Sequence, residues 1–381
     1  MSWIIALLTL WTGALLVGLG LSVAASWRHF RKRTPPVSSL ALTVIRPIKG
    51  ADEGLAAHLE SLVLADQEGR LQILLAMEGE RDPAHAVARE FARSHPERDI
   101  EIVLSGPNPG RMGKMHNMIE ALPKAKHPFI VFTDADTGAS PELLAHTQDA
   151  FASGAEAVFA LPYHGQAPGL AGLLLRAAVN HSFGTSAALF HRLGRFMHFS
   201  GAWMGYRRDL LERMGGLEPF SRVIADDFSL GSAAVRAGAR LIFLSVPARL
   251  RESDQSLSEV LAHLGKWAAI IHCALPGFYW FVPLLSPGNA AAALWLACEL
   301  SAQNVALGRA ALAACLIARP GAALIQDLIV EGEAMPAGGY ALVALQDIGA
   351  LLFWLSGFRS HIEWRGSRYR LRPGGSAELL G

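Results

Sequence analysis

From Met1 to Trp27 the chain carries no charged residue, and the apolar run 3–25 is long enough to cross a hydrocarbon core of about 30 Å. This predicts a transmembrane helix. A cleaved signal peptide would carry positive charge ahead of its apolar stretch; here Arg28, Arg31, Lys32 and Arg33 follow it, and the positive-inside rule then puts the next segment in the cytoplasm. Between Pro35 and about Trp267, short apolar runs alternate with helix-like stretches, the pattern of an α/β domain. Strands are expected at 41–45, 71–77, 101–104, 129–133 and 241–245, with helices at 55–64, 84–94 and 232–237. A second apolar region follows Trp267, at 275–285, 291–298, 305–318 and 340–358. Pro276, Pro283 and Pro287 cut its first part into pieces too short to span, so that part is expected at the interface. If the basic tail 365–372 is also cytoplasmic, the spans after the α/β domain are even in number, and two are expected.

Composition strengthens the membrane reading. Half of the 381 residues are hydrophobic (51%) and only 18% are charged, unusual for a soluble globular protein. The length accommodates one sizeable catalytic domain plus membrane segments. A net charge of +1 supplies no basic excess to neutralise a phosphate backbone, so no nucleic-acid partner is expected. Cys273, Cys298 and Cys315 all fall in the apolar C-terminal third, without a CxxC or a His pair at ligand spacing, and are expected to be buried thiols.

Chemistry enters at the end of the apolar run 129–133, which leads directly into Asp134-Ala-Asp136. In open α/β sheets ligands bind beyond the carboxyl ends of the strands. Two hard carboxylates two residues apart can hold Mg²⁺ or Mn²⁺, and such an ion can bridge the phosphates of a nucleotide sugar. Turns after strands also favour Asp on their own account. A second pair, Asp226 and Asp227 in Ile224-Ala-Asp-Asp-Phe-Ser-Leu-Gly231, gives the first one company. One of these can take the proton of an attacking hydroxyl; the plainer role is to cap the following helix.

Several stretches, in order, resemble the ceramide glucosyltransferase family, including bacterial relatives that glycosylate hopanoid lipids. They are Arg46-Pro-Ile-Lys-Gly50, Gly113-Lys-Met-His-Asn117, Asp134-Ala-Asp136, Gly184-Thr-Ser186, Ile224-Ala-Asp-Asp-Phe228 and Trp364-Arg-Gly-Ser-Arg-Tyr-Arg-Leu-Arg-Pro-Gly-Gly375. The resemblance implies a GT-A fold, a Rossmann-like nucleotide-sugar-binding α/β domain, and an inverting single displacement from a UDP-sugar, glucose first, onto a lipid hydroxyl. By position it implies Asp134 and Asp136 as ligands of Mn²⁺ or Mg²⁺ and Asp227 as general base. Lys114, Asn117, Asp134, Asp226, His263, Lys266 and Trp267 would contact substrate. Two positions depart from the family pattern. Gly79 stands where the family places an aspartate, and His263-Leu-Gly-Lys-Trp267 stands for its Arg/Gln-x-x-Arg-Trp, so Lys266 offers a point charge in place of a guanidinium fork.

The expected division is a membrane anchor at 1–27, a GT-A domain at 35–267, interfacial and transmembrane helices at 268–360, and a cytoplasmic basic tail at 361–381. The expected partners are a UDP-sugar donor, a membrane lipid acceptor (ceramide, hopanoid or diacylglycerol) and the bilayer, the expected place the bacterial inner membrane. His181, His191 and His198 are read either as headgroup contacts or as packed residues, Trp203 and Tyr206 either as an apolar platform or as core, and Arg368, Arg370 and Arg372 either as a lid or as a helix flank. Two other functions fit less of the pattern: a processive polysaccharide synthase, and a lipid-binding relative that has lost catalysis.

Overall fold

The computed structural model describes residues 2–31, 40–165, 169–250, 255–364 and 366–380. Lys32, Arg33, Pro35 and Arg365, used in the sequence reading, lie outside them. The chain forms two compact units. One comprises Met1–Arg31, Gln166–Arg195 and Asp254–Ser360; the other comprises Lys32–Gly165, Phe196–Ser253 and His361–Gly381.

The second unit is built on a seven-stranded sheet. Its strands are β1 (Leu42–Pro47), β2 (Leu71–Met77), β3 (Asp99–Leu104), β4 (Phe129–Phe132), β6 (Ala157–Phe159), β8 (Met204–Arg207) and β9 (Leu241–Phe243), in the order β3-β2-β1-β4-β8-β6-β9. Every residue of β1 and β2 is buried, as parallel strands covered on both faces require. Strands β1 to β4 run parallel, and β8 enters antiparallel between β4 and β6. This mixed α/β architecture is the one expected. It places the end of β4 at the middle of the sheet, where the chain leaves into Asp134-Ala-Asp136.

Beside it lie β5 (Thr137–Gly138), β7 (Pro162–His164) and β10 (Ala248–Leu250), a small sheet in the order β5-β10-β7. A third sheet closes the chain: β11 (His361–Trp364), β12 (Ser367–Arg372) and β13 (Ser376–Leu379). It is extended by a bridge between Val223 and Ser376, with the Ile224 amide donating to Gly375 O (2.9 Å) and the Ala377 amide to Arg222 O (2.9 Å).

The expected strand at 71–77 and helix at 84–94 are observed with those bounds. The helix expected at 232–237 begins earlier, as Asp226–Arg236: carboxylates suit a first turn, where the helix dipole is positive. Trp203 and Tyr206 are core residues and form no surface platform. Both are fully buried, and the Trp203 indole donates to Thr147 Oγ1 at 3.0 Å.

The first unit is helical. Ser2–Phe30 and Val305–Val330 are long and apolar enough to cross a bilayer, and Ala337–Asp347 with Gly349–Ser356, bent by 62°, adds a third if the pair counts as one span. Among the described residues one such helix follows the main sheet, or two with the bent pair. Along Ser2–Phe30 the Thr9 and Thr12 hydroxyls return to Ile5 O and Leu8 O at 2.7 and 2.8 Å, which hides their polarity from an apolar surrounding. The proline-rich stretch forms only a short helix, Pro276–Tyr279, and a 3₁₀ turn, Val282–Leu285. It leaves Phe278, Trp280, Phe281, Leu284 and Leu285 exposed, the composition of an interfacial belt. The three cysteines are buried thiols outside any disulfide, as expected.

Candidate active site

The loop after β4 is fixed from both sides. Thr133 donates its hydroxyl to Ala202 O (2.7 Å), and the Asp134 amide donates to Gly201 O (3.1 Å). Behind the loop, Arg46 at the end of β1 is fully buried and donates to Thr137 O (2.7 Å) and His58 O (2.9 Å). Burial lowers its pKa to about 10, while Asp136 and Asp134 pull the other way. The guanidinium thus holds the residue that follows Asp136 and sets a permanent positive charge near both carboxylates.

The second carboxylate pair opens the helix Asp226–Arg236. Asp227 accepts from the amides of Phe228 (2.7 Å) and Gly201 (3.2 Å), so its oxygens are held by backbone on two sides and it caps no later turn. Burial raises its carboxyl to about 7, the Asp226 charge adds to that rise, and Lys114 opposes it. Asp226 is buried, with one oxygen 2.8 Å from Lys114 Nζ.

Lys114 joins the two pairs. It lies in the first turn of the helix Gly113–Ala121, and its ammonium is 2.7 Å from Asp134 and 2.8 Å from Asp226. Burial alone would lower its pKa; Asp134, Asp226 and Asp227 outweigh that and raise it, so it is charged throughout the accessible pH range. Asn117, one turn on, is buried and donates to Ile48 O at 3.2 Å, which ties this helix to the chain leaving β1.

Gly201 makes the arrangement possible. A Cβ there would sit 2.5 Å from Lys114 Nζ and 2.7 Å from an Asp134 oxygen. One helix turn beyond Asp227, Gly231 does the same for the Phe199 ring, which would collide with any Cβ at that position. Neither glycine stands out in the sequence, where glycines also mark ordinary turns. Arg46 belongs to a motif quoted above, but its task depends on a neighbour ninety-one residues away.

Four carboxylates, Asp134, Asp136, Asp226 and Asp227, and two cations, Lys114 and Arg46, are brought together here. Among the described residues no three His, Cys, Asp or Glu side chains converge as a ready-made cage. A Mg²⁺-type ion does not need one, since it keeps several waters and uses one or two protein carboxylates plus substrate phosphates. The hard oxygen donors of Asp134 and Asp136 are of the type that fits a divalent cation.

The remaining expected residues belong to the helical unit, on the helix Leu257–Ala274. Trp267 packs against the apolar cluster of Ala171, Leu175, Val179 and Val260. His263 meets the Trp267 ring edge-on at 4.4 Å between centroids. Gly265, between His263 and Lys266, lies against Arg359, whose Nη1 would be 3.2 Å from a Cβ on that glycine. A guanidinium therefore adjoins this motif although the motif itself has none. At the end of β2, Glu78 and Glu80 are exposed on either side of Gly79, and Asp82 is occupied by the amides of Gly50 and Ala84, each at 2.9 Å.

The model of glycosyl transferase family 21 matches residues 7–377. The chain belongs to that family. Similar curated proteins include ceramide glucosyltransferase 1 of Caenorhabditis elegans, 24% identical over 270 residues, covering 68% of this chain and 55% of that protein. Ceramide glucosyltransferase 3 of the same organism is 24% identical over 276 residues, covering 69% and 58%. The chain thus spans little more than half the length of these relatives. Among solved structures, the mannosyltransferase PcManGT from Pyrobaculum calidifontis, in complex with GDP-Man and Mn²⁺, aligns over 92% of this chain and all of its own, at 20% identity and a TM-score of 0.48. Glucosyl-3-phosphoglycerate synthase from Mycobacterium tuberculosis, with Mn²⁺ and UDP-glucose, aligns over 66% of this chain and 82% of its own, at 16% identity and 0.38.

Proposed function

We propose that this family 21 member is an inverting, GT-A-type glycosyltransferase that moves one sugar, glucose first, from a UDP-sugar to the hydroxyl of a ceramide-, hopanoid- or diacylglycerol-type lipid. The reaction takes place at the cytoplasmic face of a membrane, the bacterial inner membrane in this reading. One observation carries the proposal: a lysine held between two aspartates at the central strand end, beside a third carboxylate whose pKa lies near neutrality. Support comes also from membership of the family, from the ceramide glucosyltransferases it resembles, and from the helices able to cross a bilayer.

In this reading Asp227 takes the proton of the acceptor hydroxyl as its oxygen attacks the anomeric carbon, and the bond from that carbon to the diphosphate oxygen breaks. A carboxylate titrating near 7 suits that task, since a base is most effective when its pKa lies close to the working pH. Asp134 and Asp136 hold Mn²⁺ or Mg²⁺, which when bound supplies the charge that stabilises the departing diphosphate. Lys114 passes from the carboxylates to the phosphates, and Asp226 keeps it in reach. Asn117 holds the helix that carries Lys114, and His263, Lys266 and Trp267 enter the proposal by family position alone. The anchor at 1–27, the catalytic domain at 35–267, the membrane-associated helices at 268–360 and the tail at 361–381 are parts of the same proposal. The segment 169–192 packs with the helical unit and the tail strands with the sheet unit.

The test is UDP release by purified protein in detergent with Mn²⁺ or Mg²⁺, screening UDP-glucose, UDP-galactose and UDP-N-acetylglucosamine against ceramide, diacylglycerol and hopanoid acceptors. Acceptor-dependent release with one donor, giving a product enlarged by a single sugar, is expected. A polymeric product, or no release from folded protein with any pair, would overturn the reading.

A further inference from the structure

The helical unit buries charged and polar side chains in otherwise apolar surroundings. The helix Gly169–Ala178 passes into a π-helical turn, Val179–Phe183, which carries His181. Along Val305–Val330, one of the two long apolar helices, Arg319, Gln326 and Asp327 are all buried. Asp327 accepts from the Tyr340 hydroxyl at 2.9 Å and lies 3.1 Å from Arg176 Nη2 and 3.3 Å from His181 Nε2. Arg319 meets Asp347 at 3.1 Å and donates to His181 O at 3.2 Å.

The charges in this cluster balance: Arg176 and Arg319 against Asp327 and Asp347. Burial lowers the His181 pKa and so favours the neutral ring. The hydrogen bonds do not balance. Among the described residues, neither amide atom of the fully buried Gln326 has a partner, and neither has His181 Nδ1. Buried polar groups are rarely left so, because each forfeits the bonds that water would give it. Two independent features point to a ligand. Single π turns recur at functional sites, and ionisable residues within membrane helices face the bundle interior and mark substrate or ion pathways.

We propose that Gln326 and His181 bind the uncharged headgroup of a lipid. Gln326 offers one carbonyl acceptor and one amide donor, and His181 Nδ1 adds a third hydrogen-bonding position. A headgroup bearing hydroxyl and amide groups matches this set. A phosphate does not, since both guanidinium groups already serve carboxylates. That this lipid is the sugar acceptor rests on the function proposed above; that it binds here does not.

The experiment measures binding of a fluorescent short-chain ceramide to the full chain in detergent, without donor or metal, with diacylglycerol and phosphatidic acid as comparisons. Gln326→Leu is expected to weaken ceramide binding about tenfold, the loss of one or two hydrogen bonds to the ligand. The same variant should bind UDP with Mn²⁺ as wild type does and unfold at an equal or higher temperature, because an unsatisfied buried amide is gone. Unchanged ceramide binding by Gln326→Leu would assign the amide to packing or an ordered water and overturn the proposal, as would preferred binding of phosphatidic acid. A photoreactive ceramide on the wild-type chain needs no variant: crosslinks within 179–183 or 323–330 support the site, and crosslinks confined elsewhere overturn it. Ceramide binding at this site without sugar transfer to any acceptor would sink the transferase reading and leave the lipid site standing.

Discussion

The side chain with most at stake is Asp227, because its position costs the fold energy. Its native pKa, about 7, lies above the ordinary carboxylate value of 3.8. The sign follows: a raised pKa gives stability that is full below the unfolded value and is lost as pH rises through about 7, where the site must carry the charge. In metal-free protein, Asp227→Asn should therefore raise the unfolding midpoint at pH 8 and leave it nearly unchanged at pH 4. At about 1.4 kcal/mol per pKa unit, discounted because the group keeps some solvent, a gain of about 1–2 kcal/mol is expected. Turnover should fall by about a thousandfold or more with UDP binding retained, since a general base acts in the transition state. Thermal scans at both pH values and single-turnover kinetics check this; retained turnover would move the base elsewhere. Gly201→Ala is expected to push Lys114 and Asp134 apart and to weaken Mn²⁺-dependent UDP binding, with thermal stability little changed if the lysine swings clear. Asp136→Ala should weaken the same binding if the residue is the metal ligand proposed above. UDP titrations with and without EDTA measure both.

Legibility differs from element to element. The strand at 71–77 and the helix at 84–94 could be read to the residue because turn residues and charges bound them, the strand as a short, nearly continuous apolar run and the helix by its period. Strands β5, β7 and β10 have two or three residues each, too few for any period to show, and they pair only with one another, across segments far apart in the chain. The tail is a different case. Arg368-Tyr-Arg-Leu-Arg372 alternates charged and apolar positions, and β12 buries Tyr369 and Leu371 while its arginines face solvent. Its cations suit a membrane flank equally well, so only the partner strands decide between the two. Of the site, Asp134, Asp136, Asp226 and Asp227 are legible as motifs at strand and helix ends. The contributions of Arg46 and Gly201 are not, because each depends on a contact between distant parts of the chain. The tail sheet permits a further test. Gly375 has φ +84 and its carbonyl receives the Ile224 amide, two residues before Asp226. Gly375→Ala should introduce about 1 kcal/mol of left-handed strain and lower kcat more than donor KM, read from steady-state kinetics. Unaltered kcat would mean that the strand pairing does not reach the base.

For the whole molecule, two kinds of folding must succeed in one chain. The sheet unit gathers most of its apolar residues into one core around the main sheet. The helical unit leaves Trp3, Leu10, Leu300, Ile317 and Leu352 more than two-thirds exposed, which an aqueous setting would penalise and a bilayer would not. Washing membranes at alkaline pH should leave the protein in the pellet, and detergent should release it; release by alkali alone would contradict the spanning helices. The link from Asp227 back to the tail also has a consequence in time. The segment that carries Ile224 is bridged by residues around Ser376, made after more than a hundred further residues have left the ribosome. During synthesis the first four strands of the main sheet can pair early, but the bonds that join Arg222 and Ile224 to Ala377 and Gly375 form only once every later helix has been made. A nascent chain halted before residue 376 would carry all four site aspartates without that support, so sugar transfer should begin late in biosynthesis.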